Sequence, residues 1–146
     1  MAIKLFTIGF TKKSAGKFFG LLREANVRRV MDTRLNRASQ LAGFAKEQDL
    51  PFFLREICHA EYETQPLLAP TDEILSAYRK KRISWQDYEQ KFDALLRERK
   101  IEVNLPRESF DHACLLCSED KPHQCHRRLV AEYLREKWGD VEIRHL

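Results

Sequence analysis

Strands alternating with helices along the whole chain predict an α/β fold: a single layered domain with a mostly parallel central sheet of four to five strands flanked by helices. Two observations carry this prediction. Short apolar runs such as "IKLFTIGF" and "HACLLCSE" are bounded by turn or polar residues, and stretches with apolar residues three and four apart separate them. A length of 146 residues fits one domain spanning residues 1–146 with a core of its own.

The elements follow in order. "IKLFTIGF" reads as a buried strand closed by the turn residue Gly9. Thr11 or Ser14 can cap the next helix, whose apolar side carries Phe18, Phe19, Leu22 and Ala25. "VRRVMDTR" is a second strand with Asp32 and Arg34 at its far end. From Ser39 to about His59 the spacing is helical, with a break expected near Pro51, and "AEYE" is a short third strand. Thr71 starts a helix through Ile74, Leu75 and Tyr78. "SWQDYEQKFDALLRER" places Trp85, Tyr88, Phe92, Leu95 and Leu96 on one helical stripe behind the cap Ser84, with Asp87 three residues on. Aromatic residues in such a stripe read as packing. "HACLLCSE" is a buried strand, "PHQCHRRLVAEYLREKW" a helix ending at Gly139, and "VEIRHL" a last strand.

Composition narrows function only a little. Hydrophobic residues make up 43% and charged residues 33%, and the formal charge is +4. Such an excess permits contact with phosphates without arguing for it, since a nucleic-acid footprint depends on clustering. The densest basic run is "YRKKRISW". No secretory leader or membrane-length apolar run is read, so a cytoplasmic location, no membrane partner and reduced cysteines are expected. Oligomeric state is not legible.

In a parallel sheet the ligand crevice lies beyond the carboxyl ends of the strands. The polar residues expected there are Thr7 and Gly9, Asp32 and Arg34, Cys117 and Glu119, and His145. The stretch "CLLCSEDKPHQCHRRLVAEYL" joins this rim to a helix. Cys114, Cys117, Cys125 and His126 have the donor types of a zinc site. In a strand, however, residues three apart point to opposite faces, so the first two thiols diverge. No metal and no cofactor are expected. A thioredoxin-like pair is disfavoured because that motif opens a helix. Cys114 and Cys58 read as core residues. Cys125 and His126 fall in the first turn of the helix, on its sheet-facing side, where the dipole and free N–H groups favour anions and thiolates. A functional site and a plain core junction both remain open from these residues alone.

"FTIGFT", "VMDTR" followed by "SQLAGFAK", and "CLLCSEDKPHQCHRRLVAEYL" resemble the domain of unknown function 488 family, whose members are small bacterial and archaeal proteins. The resemblance implies a Thr-Ile-Gly opening at Thr7, Ile8 and Gly9, an Asp-x-Arg at Asp32 and Arg34, and a Cys-x-Glu … Cys-His-Arg signature at Cys117, Glu119, Cys125, His126 and Arg127. "LLAPTDEILSAYRKKRISWQDYEQKF" resembles the middle of one shorter branch. The chain departs from the pattern near Arg37, where many members carry Pro, and at "TQPLLAP", where they carry Leu-Gly-Gly.

The expected function is an enzyme, a cysteine-dependent hydrolase or transferase, acting on an anionic substrate that bears a phosphate or a nucleotide. Cys125 would be the nucleophile, and His126 or Asp32 would move protons. Arg34 and Arg127 would hold the anion, with Thr7, Gly9 and Glu119 completing the pocket. Asp32 can equally pair with an arginine and stiffen the rim. Familiar phosphate motifs are missing: "GFTKKSAGKF" has Phe18 where a P-loop needs Ser or Thr, and "CHRRLVA" lacks the tyrosine-phosphatase spacing. The alternative is a non-catalytic nucleic-acid-binding module using "YRKKRISW".

Overall fold

The computed structural model describes residues 2–37 and 43–146. Five strands form one parallel sheet: β1 (Ile3–Gly9), β2 (Arg29–Asp32), β3 (Glu61–Thr64), β4 (Ala113–Cys117) and β5 (Val141–His145). Their order across the sheet is β3-β2-β4-β1-β5. All five strands anticipated from the sequence are present.

The helices are α1 (Ala15–Glu24), α2 (Leu50–Phe53, running on as a wide turn over Leu54–Cys58), α3 (Asp72–Arg79), α4 (Trp85–Arg99), the short α5 (Ile101–Asn104) and α6 (His126–Trp138). Their starts follow local chemistry. Ser14 accepts from the Lys17 amide, Thr71 from the Ile74 amide, and Ser84 and Asp87 form a reciprocal capping box. Pro51 is not a break in a longer helix. It sits in the first turn of α2, where its missing N–H would have had no partner anyway. Before it, Gly43–Ala45 is a 3-10 turn, and the start of the expected helix at Ser39 lies outside the described residues.

Strand alternation divides the core into two layers. Leu5, Met31, Ala113 and Leu115 face one side, under Phe92 and Leu96 of α4 and Val130 and Leu134 of α6. Phe6, Ile8, Val30, Cys114 and Leu116 face the other, under Phe18 and Leu22 of α1 and Leu50 and Leu54 of α2. Each such side chain contributes roughly 1.5–3 kcal/mol when fully buried.

The parallel register is what assembles the rim. Gly9 pairs with Cys117, Thr7 with His145, and Asp32 with both Leu116 and Thr64. The carboxyl ends therefore lie side by side, with β4 in the middle. Beyond them the chain after β1 and the chain after β4 close on each other, the Thr11 amide donating to the Ser118 carbonyl at 3.1 Å. A Cβ on Gly9 would sit inside the Glu119 carbonyl and against the Arg127 guanidinium, so only glycine permits this approach. Gly9→Ala is expected to destabilise the protein by about 2 kcal/mol or more, read as a lower urea midpoint with an unchanged slope.

Candidate functional site

The site is organised by the first turn of α6. Arg127, Val130, Ala131 and Leu134 share one buried stripe of that helix, and the stripe carries the Arg127 guanidinium under the strand ends. Its relative exposure is 0%. Nε donates to Thr7 Oγ1 at 3.2 Å, Nη2 to the Asp120 carbonyl at 3.2 Å, and Nη1 to the Glu119 carbonyl and to Cys117 Sγ at 3.0 Å. Every one of these acceptors is uncharged. Burial accordingly pulls the guanidinium down to about 10. Thr7 Oγ1, which accepts from Arg127, also shares a hydrogen bond with His145 Nδ1 at 2.6 Å. Thr7 and His145 thus belong to the support of Arg127.

Cys125 is the N-cap of α6, with extended backbone angles and no side-chain capping bond. Its sulfur meets that of Cys117 with the Cα atoms 7.6 Å apart, wider than a disulfide usually spans, while Cys58 and Cys114 are free. The Cys114–Cys117 spacing drew attention, but alternation puts Cys114 in the α1–α2 layer, where burial pushes its thiol up. The strand end and the helix start instead bring Cys117 to Cys125. Two of the four zinc-type donors therefore diverge across the sheet, and among the described residues no cluster of three His, Cys, Asp or Glu side chains is placed to hold a metal.

His126 follows Cys125 into the helix. Its Nε2 donates to the Thr33 carbonyl at 2.7 Å and lies 2.9 Å from Thr33 Oγ1, whose own proton goes to the Leu116 carbonyl. This sets the tautomer: Nε2 carries the hydrogen, and Nδ1, 4.0 Å from Cys125 Sγ, keeps its lone pair. Burial is the main cause that pushes the imidazole down to about 4, so it is neutral at pH 7.

Asp32 and Arg34 form a buried bidentate pair, with Nε to Oδ1 at 2.8 Å and Nη2 to Oδ2 at 2.7 Å. The Arg34 amide and the Tyr62 hydroxyl also donate to Asp32, the latter at 2.6 Å. Asp32 is thus surrounded by donors and positions Arg34. Arg34 Nη1 is buried and has no hydrogen-bond partner among the described residues.

Above these groups opens a cavity of about 550 Å³. Arg34, Cys117, Glu119, Cys125 and His126 line it. Thr7, Gly9, Asp32 and Arg127 do not; they lie beneath and hold the lining in place. Arg127, expected to touch the anion, is instead the buried post of the rim. The sequence carried the clue, since residues 127, 130, 131 and 134 obey the same spacing that identified the apolar face. The opposite wall comes from α3 and α4 through Tyr78, Arg79, Trp85 and Tyr88. The helical spacing of Trp85 and Tyr88 predicts packing. Tyr88 is indeed 2% exposed and continues into Phe92, but both rings also face the cavity. Nothing in a helical stripe says which of its ends meets a crevice.

The profile of the family described as Domain of unknown function DUF488 matches residues 14–134. The chain belongs to the DUF488 family. No curated protein and no solved structure matches it. The DUF488 match spans α1 through most of α6 and so includes Asp32, Arg34, Cys117, Glu119, Cys125 and His126 together with the aromatic wall, while Thr7, Gly9 and His145 lie outside it.

The depressed His126 has a consequence for stability. Its folded value lies below its ordinary 6.5, so the unfolded chain binds the extra proton between about 6.5 and about 4. The stability it contributes is present above 6.5 and is lost as the pH falls through that window. His145, also lowered by burial, acts in the same direction. Urea unfolding at pH 8 and pH 5 should show the loss, and His126→Gln should flatten it in part.

Proposed function

We propose that this DUF488 member is an enzyme acting on an anionic, phosphate- or nucleotide-bearing small molecule, with the Cys125 thiolate as nucleophile. The observation that carries the reading is the meeting of Cys125, His126 and Arg34 in one cavity at the carboxyl rim of a parallel sheet.

The chemistry belongs to the reduced protein. Freed from Cys117, the Cys125 thiol gives its proton to His126 Nδ1, which the Thr33 carbonyl keeps unprotonated and oriented by holding the opposite nitrogen. The thiolate is favoured by the amino end of the thirteen-residue α6 and by the Arg127 guanidinium, whose Nη1 is 4.0 Å from Sγ. It attacks the electrophilic centre, a bond to sulfur forms, and the leaving group departs with its electron pair and takes the proton from His126. Water in a hydrolase, or a second substrate in a transferase, then releases the sulfur. Arg34, held by Asp32, faces the anionic part of the substrate. With Cys117 and Cys125 joined, no nucleophile is present and the site is at rest.

Alkylation of the reduced protein between acidic and alkaline pH, followed by peptide mass spectrometry, tests this reading. Cys125 is expected to react fastest below neutrality and to be slowed by phosphate or nucleotides. Cys58 and Cys114 should lag, since burial raises both thiols. A Cys125 that stays silent until the reduced chain unfolds would remove the nucleophile.

The exposed run Lys80, Lys81 and Arg82 favours a second reading, a module that binds nucleic acid without catalysis. Arg79 lines the cavity, so it must be left intact in a test that separates the two. Reversing the charges at Lys80, Lys81 and Arg82 should abolish salt-sensitive oligonucleotide binding by a module. A pocket enzyme should keep its phosphate protection of Cys125 unchanged.

A further inference from the structure

We infer that the cavity takes a planar aromatic ring joined to a single phosphate, a nucleoside monophosphate in class, with the ring against the α3–α4 wall and the phosphate toward Arg34. The inference rests on the anionic-substrate reading above and adds the ring to it.

The wall is built as a ring surface. Trp85 and Tyr88 stack at 4.9 Å between centroids and 15° between planes, and Tyr78 meets both, at 5.4 and 5.3 Å. Tyr88 is anchored in the core through Phe92, whereas Trp85 and Tyr78 are only half-buried and border the cavity. Rigid aromatics supported from behind and open in front are what base stacking uses. Gln124 lines the same space; its Oε1 accepts from the Tyr78 hydroxyl at 3.4 Å, which holds the amide with its donor side available to a ring edge.

Charge points the same way. The lining holds Arg34 and Arg79 but also Asp72 and Glu119, and Asp32 already engages two donor groups of Arg34. So balanced a lining attracts a lone anion or a polyanion weakly. A ligand must therefore gain much of its affinity from apolar contact. The anion still has a place, because Arg34 is nearly fully buried and its Nη1 lacks a partner among the described residues. An opening of about 550 Å³ suits a molecule of nucleotide size, while phosphate alone would fill a corner of it.

Trp138→Phe leaves Trp85 as the sole tryptophan, so its fluorescence reports the wall directly. Under reducing conditions this variant is titrated with the four common nucleoside 5′-monophosphates, the matching nucleosides, ribose 5-phosphate and inorganic phosphate. Calorimetry on the unaltered chain repeats the series without any substitution. At least one nucleotide should quench Trp85 saturably and bind about tenfold or more tighter than its nucleoside and than ribose 5-phosphate. Trp85→Ala should weaken that nucleotide by about tenfold, and Trp85→Phe should restore most of the loss. Ribose 5-phosphate or phosphate binding as tightly as every nucleotide would overturn the ring and leave the anionic-substrate reading standing. Nucleosides equalling their nucleotides would overturn the phosphate and that reading with it. Absence of binding by all probes in both assays would overturn the inference, while Cys125 alkylation would still judge the nucleophile separately.

Discussion

A full positive charge buried under the ends of a parallel sheet is costly unless its donors are satisfied, and Arg127 is buried with only neutral acceptors around it. That requirement fixes much of the rim. Thr7 on β1 must turn its hydroxyl inward, the backbone after β4 must fold back so that the Glu119 and Asp120 carbonyls reach the guanidinium, and Gly9 must lack a side chain to let them in. Three separated stretches of sequence are locked together by one side chain. The strand ends, the loop and the start of α6 consequently form a single rigid unit, which is the condition a reactive site needs.

The same charge links structure to redox chemistry. Cys117 Sγ lies 3.0 Å from the guanidinium, and Cys125 Sγ 4.0 Å. When the two sulfurs are joined they bring no charge, and the cation is left with dipoles alone. When they are apart, either sulfur still lies within reach of the guanidinium. His126 adds no charge at rest, because burial keeps it neutral near pH 7.

Much of this was legible because it follows from short-range rules. Short apolar runs between turn or polar residues located all five strands, period-two alternation separated Cys114 from Cys117, and caps at Ser14, Thr71 and Ser84 marked helix starts. The rule that parallel strands gather ligands at their carboxyl ends then named Thr7, Gly9, Asp32, Arg34, Cys117, Glu119 and His145, and the field at the start of a helix added Cys125 and His126. What escaped depends on distances across the chain. The pairing of Cys117 with Cys125 is set by how α6 docks on β4, not by spacing. Tyr62 and Thr33, which steady Asp32 and His126, look like ordinary strand and loop residues until their partners are known. Arg127 was found but given the wrong depth, because an arginine on an apolar stripe is usually read as an exception to it.

The two halves of the cavity have different origins in the sequence. The rim is made from the stretches that resemble the family signature, Thr-Ile-Gly, Asp-x-Arg and Cys-x-Glu … Cys-His-Arg, and these are the groups that satisfy or surround Arg127. The facing wall, from Pro70 through Tyr88, comes from the segment that resembles one shorter branch and follows the point where "TQPLLAP" departs from the usual glycine turn. Physical constraint explains the division. A rim held by a buried cation cannot change one residue without stranding a hydrogen-bonding partner, whereas a helical wall backed by α6 can exchange rings and charges while its core face stays packed. On the proposed function, chemistry is tied to the sheet and ligand choice to α3 and α4, so the residues that would select a substrate are to be sought on the wall.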